Sequence, residues 1–261
     1  MRDARLLTAI KAQIAAGTTF AGVASVLTPA SHHLSSGEPP GAQDILAIFA
    51  VARRLRTDAS EGRLGQPLRG KNLALLFETP PGGSQSALHR AALQLGARVA
   101  EVRFADPGGS AFVQDDLHGL ARMLGRMYDA IDCAALAPAT VRQIEREAGV
   151  PVYAGLGLDE HPARALADLM TLHEHRPTPG ALSIRFLGDP TAARARAFLR
   201  AAQELGWAQA QHATFVVDAA HGSHWALCGP AGPLDALARS ENHRCMMQTL
   251  LLETIIRPRT C

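Results

Sequence analysis

Lysine is almost absent from this chain. Of 26 basic residues, only Lys11 and Lys71 are lysines and the rest are arginines. The skew matches a GC-rich coding bias and by itself says nothing about phosphate binding. Charge of one sign is also lacking. The 26 basic and 24 acidic residues leave a net charge of +2 with histidine neutral. That balance gives no field to hold nucleic acid or a membrane surface, so neither is expected as a partner. Cysteine is sparse, and Cys133, Cys228, Cys245 and Cys261 form no C-x-x-C pair. Zinc-ribbon and thioredoxin-like readings are thereby disfavoured, and a reducing, cytoplasmic setting fits best. Long apolar runs are missing too. Leu73–Phe77 falls far short of a membrane span, and residues 1–16 carry charges throughout, with no signal-peptide core.

The 261 residues are 47% hydrophobic and 19% charged. That supplies a sizeable core and excludes a disordered chain. The length allows one large domain or two small ones. The 23 glycines and 16 prolines are dispersed, which excludes collagen-like or low-complexity sequence.

Periodicity predicts an N-terminal helix over Asp3–Ala16, an irregular Gly/Ser/Thr/Pro-rich stretch to Pro40, and a helix over Gln43–Arg56. NLALLF (Asn72–Phe77) reads as a strand buried on both faces. Helix and strand then alternate: Ser84–Leu95, Arg98–Phe104, Val113–Met127, Asp129–Cys133, Thr140–Gly149 and Val150–Tyr153. This order predicts an α/β fold with parallel sheets flanked by helices. A helix over Pro162–His175 starts on proline, and a break at Pro177–Gly180 marks a boundary. Strand Leu182–Leu187, helix Thr191–Leu205, strands Thr214–Val217 and Trp225–Cys228, and a long helix Leu234–Ile256 complete the pattern.

Four groups of residues are candidates for chemistry. The loop Glu78–Gln85 joins a buried strand to a helix start. Gly82 and Gly83 permit close backbone approach, and the free amides near Ser84 and Gln85 favour an anion. The same residues also suit an ordinary tight turn, since neither a Walker loop nor a dinucleotide fingerprint is present. Arg122 and Arg126 share a helical face. They suit a phosphate or carboxylate clamp, or pairing with Asp115 or Asp129. His161 precedes a helix start, either as an acid/base group or as a cap, with Arg164 one turn on. The neighbouring His173 and His175 lack a third metal ligand. Cys228 ends a strand candidate, where α/β proteins place ligands, although a buried structural thiol is equally consistent.

The order of these pieces resembles the aspartate/ornithine carbamoyltransferase family, nearer the ornithine branch. LRGKNLALLFET (Leu68–Thr79) is similar to the strand before the family's carbamoyl-phosphate loop, and ALHRAALQLGARV (Ala87–Val99) to the helix and strand after it. LARMLGRMYDAID (Leu120–Asp132) resembles the Arg-bearing segment. Ala148–His175 is similar to the segment holding the H-P-x-Q-x-L-A-D motif. FLGDP (Phe186–Pro190) resembles the opening of the second domain, and Ser240–Ile256 the returning helix.

The resemblance implies two α/β domains. Residues 1–33 would be an extension, 34–176 a carbamoyl-phosphate-binding-like domain, 177–233 a reduced amino-acid-binding-like domain, and 234–261 a helix returning to the first. It also implies a homotrimer, no metal or organic cofactor, and electrostatic stabilisation of departing phosphate. His161, Arg126 and Cys228 would be the catalytic candidates. Gly82, Gly83, Ser84, Gln85, Arg126, His161 and Arg164 would hold carbamoyl phosphate or a phosphate-like anion.

The chain departs from the family pattern at the chemistry. The S-T-R-T-R loop is replaced by Pro81–Gln85, without its two arginines. Each lost charge-assisted contact is worth about 1.5–3 kcal/mol, or roughly two to four decades of affinity together. The Gln of H-P-x-Q is Arg164. The Asn-containing turn after Gly188-Asp189 reads Pro190–Ala193. H-C-L-P becomes Leu227–Pro230, keeping Cys228, and E-N-R becomes Glu241-Asn242-His243. No S-M-G loop is found. Only about twenty residues separate Leu205 from Leu227, which predicts a second domain of about three strands. Three readings follow: a family member without ordinary ornithine carbamoyltransferase activity, repurposed to another small ligand or to an assembly role; a working carbamoyltransferase on an unusual amine; or a structural or regulatory relic.

Overall fold

The computed structural model describes residues 41–78, 86–104, 114–134, 136–176, 182–222 and 224–256. The helix expected over Asp3–Ala16 and the loop residues Gly82, Gly83, Ser84 and Gln85 lie outside the described residues.

The chain enters through α1 (Ala42–Ser60), where the Asp44 carboxylate accepts from the Gly41 amide at 3.2 Å. Strand β1 (Asn72–Phe77) follows, buried over its four central residues. Its side chains alternate between two cores. Leu73 and Leu75 join one cluster with Phe49, Leu88 and Leu250, while Ala74 and Leu76 join another with Leu117, Leu124 and Ile144. The continuous apolar run therefore reflects helices on both faces, as in a buried parallel sheet. Helix α2 (Ala87–Gln94), β2 (Arg98–Arg103), α3 (Gln114–Met127), β3 (Ala130–Cys133), α4 (Pro138–Ala148) and β4 (Val152–Tyr153) complete the first sheet. Its order is β2-β1-β3-β4 and every pair is parallel.

Helices α3 and α4 pack closely because α3 carries Gly125. A Cβ there would fall 1.8 Å from the Ala148 carbonyl oxygen. Helix α4 ends on Gly149 at φ +68, the left-handed C-terminal turn that glycine adopts without strain.

Helix α5 (Pro162–Glu174) leads to the second sheet through β5 (Ser183–Leu187), α6 (Ala193–Glu204), β6 (Ala208–Gln209), β7 (Phe215–Asp218), β8 (Ala226–Gly229) and β9 (Gly232–Pro233). The order is β6-β5-β7-β8-β9. The sheet has five strands where about three were expected, because β6 and β9 are two-residue additions at its edges. Nor is it wholly parallel. Strands β5, β6 and β7 are parallel, but β8 runs antiparallel to β7, and β9 antiparallel to β8. The short β7–β8 connection leaves no room for the crossover that a parallel pair needs.

Helix α7 (Ala236–Ile255) starts on Asp235, whose carboxylate accepts from the Leu237 and Ala238 amides, each at 3.1 Å. It packs on α1, α2 and α5. Its buried face joins a core that continues into the second sheet through Ile184, Phe198, Phe215 and Val217.

Candidate anion-binding site

The site is built on the connection from β4 to α5. Asp132, on β3, is 3% exposed, and its Oδ1 accepts from the amides of Gly155 at 3.0 Å and Leu156 at 2.8 Å. Burial pushes its carboxyl pKa up to about 7 despite those two donors. This pair of bonds anchors the turn that delivers His161. The turn itself needs Gly155 at φ +80, where a Cβ would meet the Leu158 side chain at 2.5 Å.

Pro162 opens α5 because its fixed φ suits a first turn and its missing N–H would be unpaired there anyway. His161 is the N-cap, its Nδ1 accepting from the Ala163 amide at 3.1 Å. That bond fixes the neutral tautomer with hydrogen on Nε2. Burial lowers the His161 pKa to about 4, so the ring is a neutral donor at pH 7.

Behind this cap lies a buried charge cluster. Asp168 is 1% exposed. Its Oδ2 accepts from Arg194 at 2.5 Å, and its Oδ1 from Arg239 at 3.0 Å and 3.3 Å. The Arg194 guanidinium also stacks 4.1 Å from the Trp225 ring centroid, and Arg239 donates to the Trp225 carbonyl at 2.7 Å. Phe186 and Phe198 pack edge-on against the same indole. Two arginines thus share one carboxylate, with an aromatic face beneath one of them.

Arg164 stands one turn into α5. Its Nε is 3.5 Å from Asp159, yet it makes no hydrogen bond among the described residues, although that atom is shielded from solvent. Burial lowers the Arg164 pKa, Asp168 and Asp159 oppose that, and Arg194 and Arg239 add to it. His243, on α7, is 4% exposed, and its Nε2 likewise has no hydrogen-bond partner among the described residues. Burial, then Arg164, Arg194 and His161, bring its pKa down to about 3. Three elements therefore converge: α5 with His161 and Arg164, α6 with Arg194, and α7 with Arg239 and His243. The arrangement can offer charge, N–H donors and a helix N-terminus to a small anion.

The structure brings together only part of the set expected from sequence. His161 and Arg164 meet. Arg126 does not join them: it lies exposed in the last turn of α3. That helix runs against the strands, so its end lies at their amino-terminal edge. Nearby, Asp129 accepts from the Asn72 amide at 2.8 Å and pairs with Lys71 at 2.9 Å. His161 follows the opposite, carboxyl-terminal edge. Arg122 pairs with Glu147 at 3.5 Å, beside His118 at 3.1 Å, and not with Asp129.

Cys228 is half-buried on β8, opposite Val216. Because β8 is antiparallel, its carboxyl end points away from the carboxyl ends of β5 and β7. The Trp225 end of β8 lies there instead. At about 3.3 Å per residue, Cys228 sits roughly 10 Å further along. His173 packs on Phe49 at 5.8 Å and His175 lies 2.8 Å from the Thr171 carbonyl oxygen. No group of three or more His, Cys, Asp or Glu suited to a metal occurs among the described residues. Ahead of α2, the Ser86 hydroxyl already accepts from the His89 amide at 3.1 Å, so the helix starts at Ala87 instead of the expected Ser84.

Sequence reasoning missed the Asp168–Arg194–Arg239 cluster and the anchoring role of Asp132, and treated His243 only as a departure from pattern. One signal was available. Arg194 lies on the buried stripe Arg194, Phe198, Ala201, Ala202 of α6, where an unpaired arginine would be costly.

Residues 32–174 match the family model described as aspartate/ornithine carbamoyltransferase, carbamoyl-P binding domain. A catabolic ornithine carbamoyltransferase of Clostridium perfringens is 32% identical over 164 residues, covering 62% of this chain and 48% of that protein. The chain thus spans about half the length of the curated relatives it matches. An ornithine carbamoyltransferase structure from Burkholderia thailandensis aligns at TM-score 0.63 and 17% identity, covering 83% of this chain and 96% of that one. A putative aspartate carbamoyltransferase from Leishmania major aligns at 0.58 and 17%, covering 89% and 98%. These structural likenesses show a shared fold. With the match over residues 32–174, they establish that the chain belongs to the aspartate/ornithine carbamoyltransferase family.

Proposed function

We propose that this protein is a divergent carbamoyltransferase-family member that lacks standard ornithine carbamoyl transfer. In this reading it binds a small anionic or amino-acid-like ligand, carbamoyl phosphate or a phosphate-like group, at the start of α5. The observation that carries the reading is that two shielded nitrogen atoms, Arg164 Nε and His243 Nε2, lack a hydrogen-bond partner among the described residues beside the helix start that His161 caps. The absence of arginine from Pro81–Gln85 argues against the family's usual phosphate clamp. The protein would act as a cytoplasmic homotrimer, with 1–33 an extension, 34–176 the anion-binding domain, 177–233 the reduced partner domain, and 234–261 the returning helix. No helix among the described residues is long and apolar enough to cross a membrane.

One observation favours a second reading. Arg164 supplies a cation where the H-P-x-Q motif carries a neutral amide, so a working carbamoyltransferase on an unusual amine remains chemically coherent. Arg126 and Cys228 would then contribute only through surfaces outside the His161 cluster.

Thermal shift with carbamoyl phosphate, inorganic phosphate and a panel of amino acids tests the first reading. Ligand at 100 times its dissociation constant should raise stability by about 2.7 kcal/mol. A response to carbamoyl phosphate or phosphate that Arg164→Gln abolishes supports it. No response to any anion refutes it and favours a structural role. Carbamoylated product from any amine of the panel would replace it with the second reading.

A further inference from the structure

We infer that Asp168 and Trp225, bridged twice by arginine, form a lock that holds the two sheets at one fixed angle. The inference stands apart from the anion-site reading and does not depend on it.

The lock joins two bodies. Helices α5 and α7 belong with the first sheet. Helix α7 packs on α1, α2 and α5, and Phe49 of α1 and Leu88 of α2 share a core with Leu73 and Leu75 of β1. Helix α6 and strand β8 belong with the second sheet, where α6 links β5 to β6. Asp168 stands on α5, and Trp225 directly precedes β8.

Each arginine touches both residues. Arg194 of α6 donates to Asp168 Oδ2 at 2.5 Å, and its guanidinium lies 4.1 Å from the Trp225 ring centroid. Arg239 of α7 donates to Asp168 Oδ1 at 3.0 Å and to the Trp225 carbonyl at 2.7 Å. The four groups close a cycle. Asp168 and Arg239 ride with the first sheet, Arg194 and Trp225 with the second. Turning one sheet against the other must therefore break two links together: Arg194 to Asp168, and Arg239 to the Trp225 carbonyl. Water is poorly placed to replace either, because Asp168, Arg194 and Trp225 are 1%, 4% and 7% exposed. Nor is the indole free to follow Arg239. Phe186 and Phe198, each 5.5 Å from it between ring centroids, brace it against the second sheet. Stranding one partner of a buried pair shifts an equilibrium by about two to three and a half decades. The turned form should then hold less than about 1% of the molecules.

Spin labels at Glu145 of α4 and Gln203 of α6, both exposed, read the angle between the bodies by pulsed dipolar spectroscopy on the full chain. Cys228→Ser and Cys261→Ser remove competing thiols. Labels at Glu145 and Arg98 of β2 give the width of a pair within the first body. The two distributions should be equally narrow. Asp168→Ala should broaden the Glu145–Gln203 distribution or add a second distance, and leave Glu145–Arg98 unchanged. Formate carries the carboxylate that this variant removes, so formate should restore the narrow distribution and chloride at equal ionic strength should not. A protein that is merely loosened would not respond to formate.

A Glu145–Gln203 distribution in the unaltered chain broader than that of Glu145–Arg98 overturns the inference. So does a folded Asp168→Ala variant that stays narrow, or a broadening that formate leaves in place. Should Asp168→Ala fail to fold, Arg239→Met opens the cycle from α7 while Arg194 keeps Asp168. A narrow Glu145–Gln203 distribution in that variant overturns the inference, and a broadened one supports it.

Discussion

The shared carboxylate of Asp168 offers the sharpest test of the structure. Asp168→Asn keeps the side chain's size and removes its charge. Asp168 and Arg194 are 1% and 4% exposed, and Arg239 is mostly buried. The variant would leave two buried guanidinium groups without a counter-charge, with Arg164 adding to their repulsion. Removing one partner of a buried ion pair costs about 3–5 kcal/mol. For a chain of this size that is a fall in Tm of roughly 6–20 °C. Urea unfolding followed by circular dichroism at neutral pH measures it. Because the cluster is buried, the loss should change little with added salt. The combined variant Asp168→Leu, Arg194→Met, Arg239→Leu should cost less than Asp168→Asn alone, because no stranded charge remains. A loss below about 1 kcal/mol for Asp168→Asn, or a triple variant worse than the single one, would refute the reasoning.

Further consequences can be measured with the same tools. Asp132 has a raised pKa, so the folded state holds an extra proton between the ordinary carboxylate range and about pH 7. Its contribution to stability is largest at low pH and is lost as pH rises through about 7; urea unfolding of Asp132→Asn should lack that decline. His161 and His243 are shifted the other way, so the unfolded state binds more protons below about pH 6.5. Their terms reduce stability as pH falls from about 6.5 toward 4, and His243→Gln should be less acid-sensitive than the unaltered chain. Gly125→Ala should destabilise the α3–α4 contact by about 1–3 kcal/mol or more, since its methyl group meets backbone that has no rotamer escape; an unchanged urea midpoint would contradict the close approach. Arg126→Ala should leave anion binding unchanged in calorimetry, because it occupies the opposite edge of the sheet from His161.

Much of the architecture was legible because local signals and burial agree. Strand β1 was found with its full bounds, since four consecutive buried residues leave no polar face to confuse the period. Helix α5 was found almost to the residue, since Pro162 and His161 mark its start chemically. Strands β6 and β9 were not. Two-residue strands carry no periodicity, and Ala208 and Gln209 are exposed, so only pairing with Ser183 and Ile184 defines β6. The direction of β8 was equally invisible, and with it went the reasoning about Cys228. At the site, His161 and Arg164 were accessible because they sit four positions or fewer apart in one motif. Asp168, Arg194 and Arg239 were not, because their meeting depends on how α5, α6 and α7 cross. The charge of a lone arginine says nothing about which carboxylate awaits it.

The packing of α7 has a consequence for synthesis. This helix covers α1, α2 and α5, yet Ala236 follows Ala42 by 194 positions. At ribosomal speeds of about 5–20 residues per second, the apolar face of α1 waits on the order of 10–40 s for this cover, and that of α5, which ends at Glu174, about 3–12 s. Over these intervals Ile48 and Phe49 of α1, and later Leu88 of α2 and Leu169 of α5, belong to a core that α7 has not yet completed. Arg239 follows Asp168 by 71 positions, so the ion cluster is completed only as the last helix docks. Holdase chaperones that recognise apolar segments would find their substrate here, before release, and not in the finished molecule.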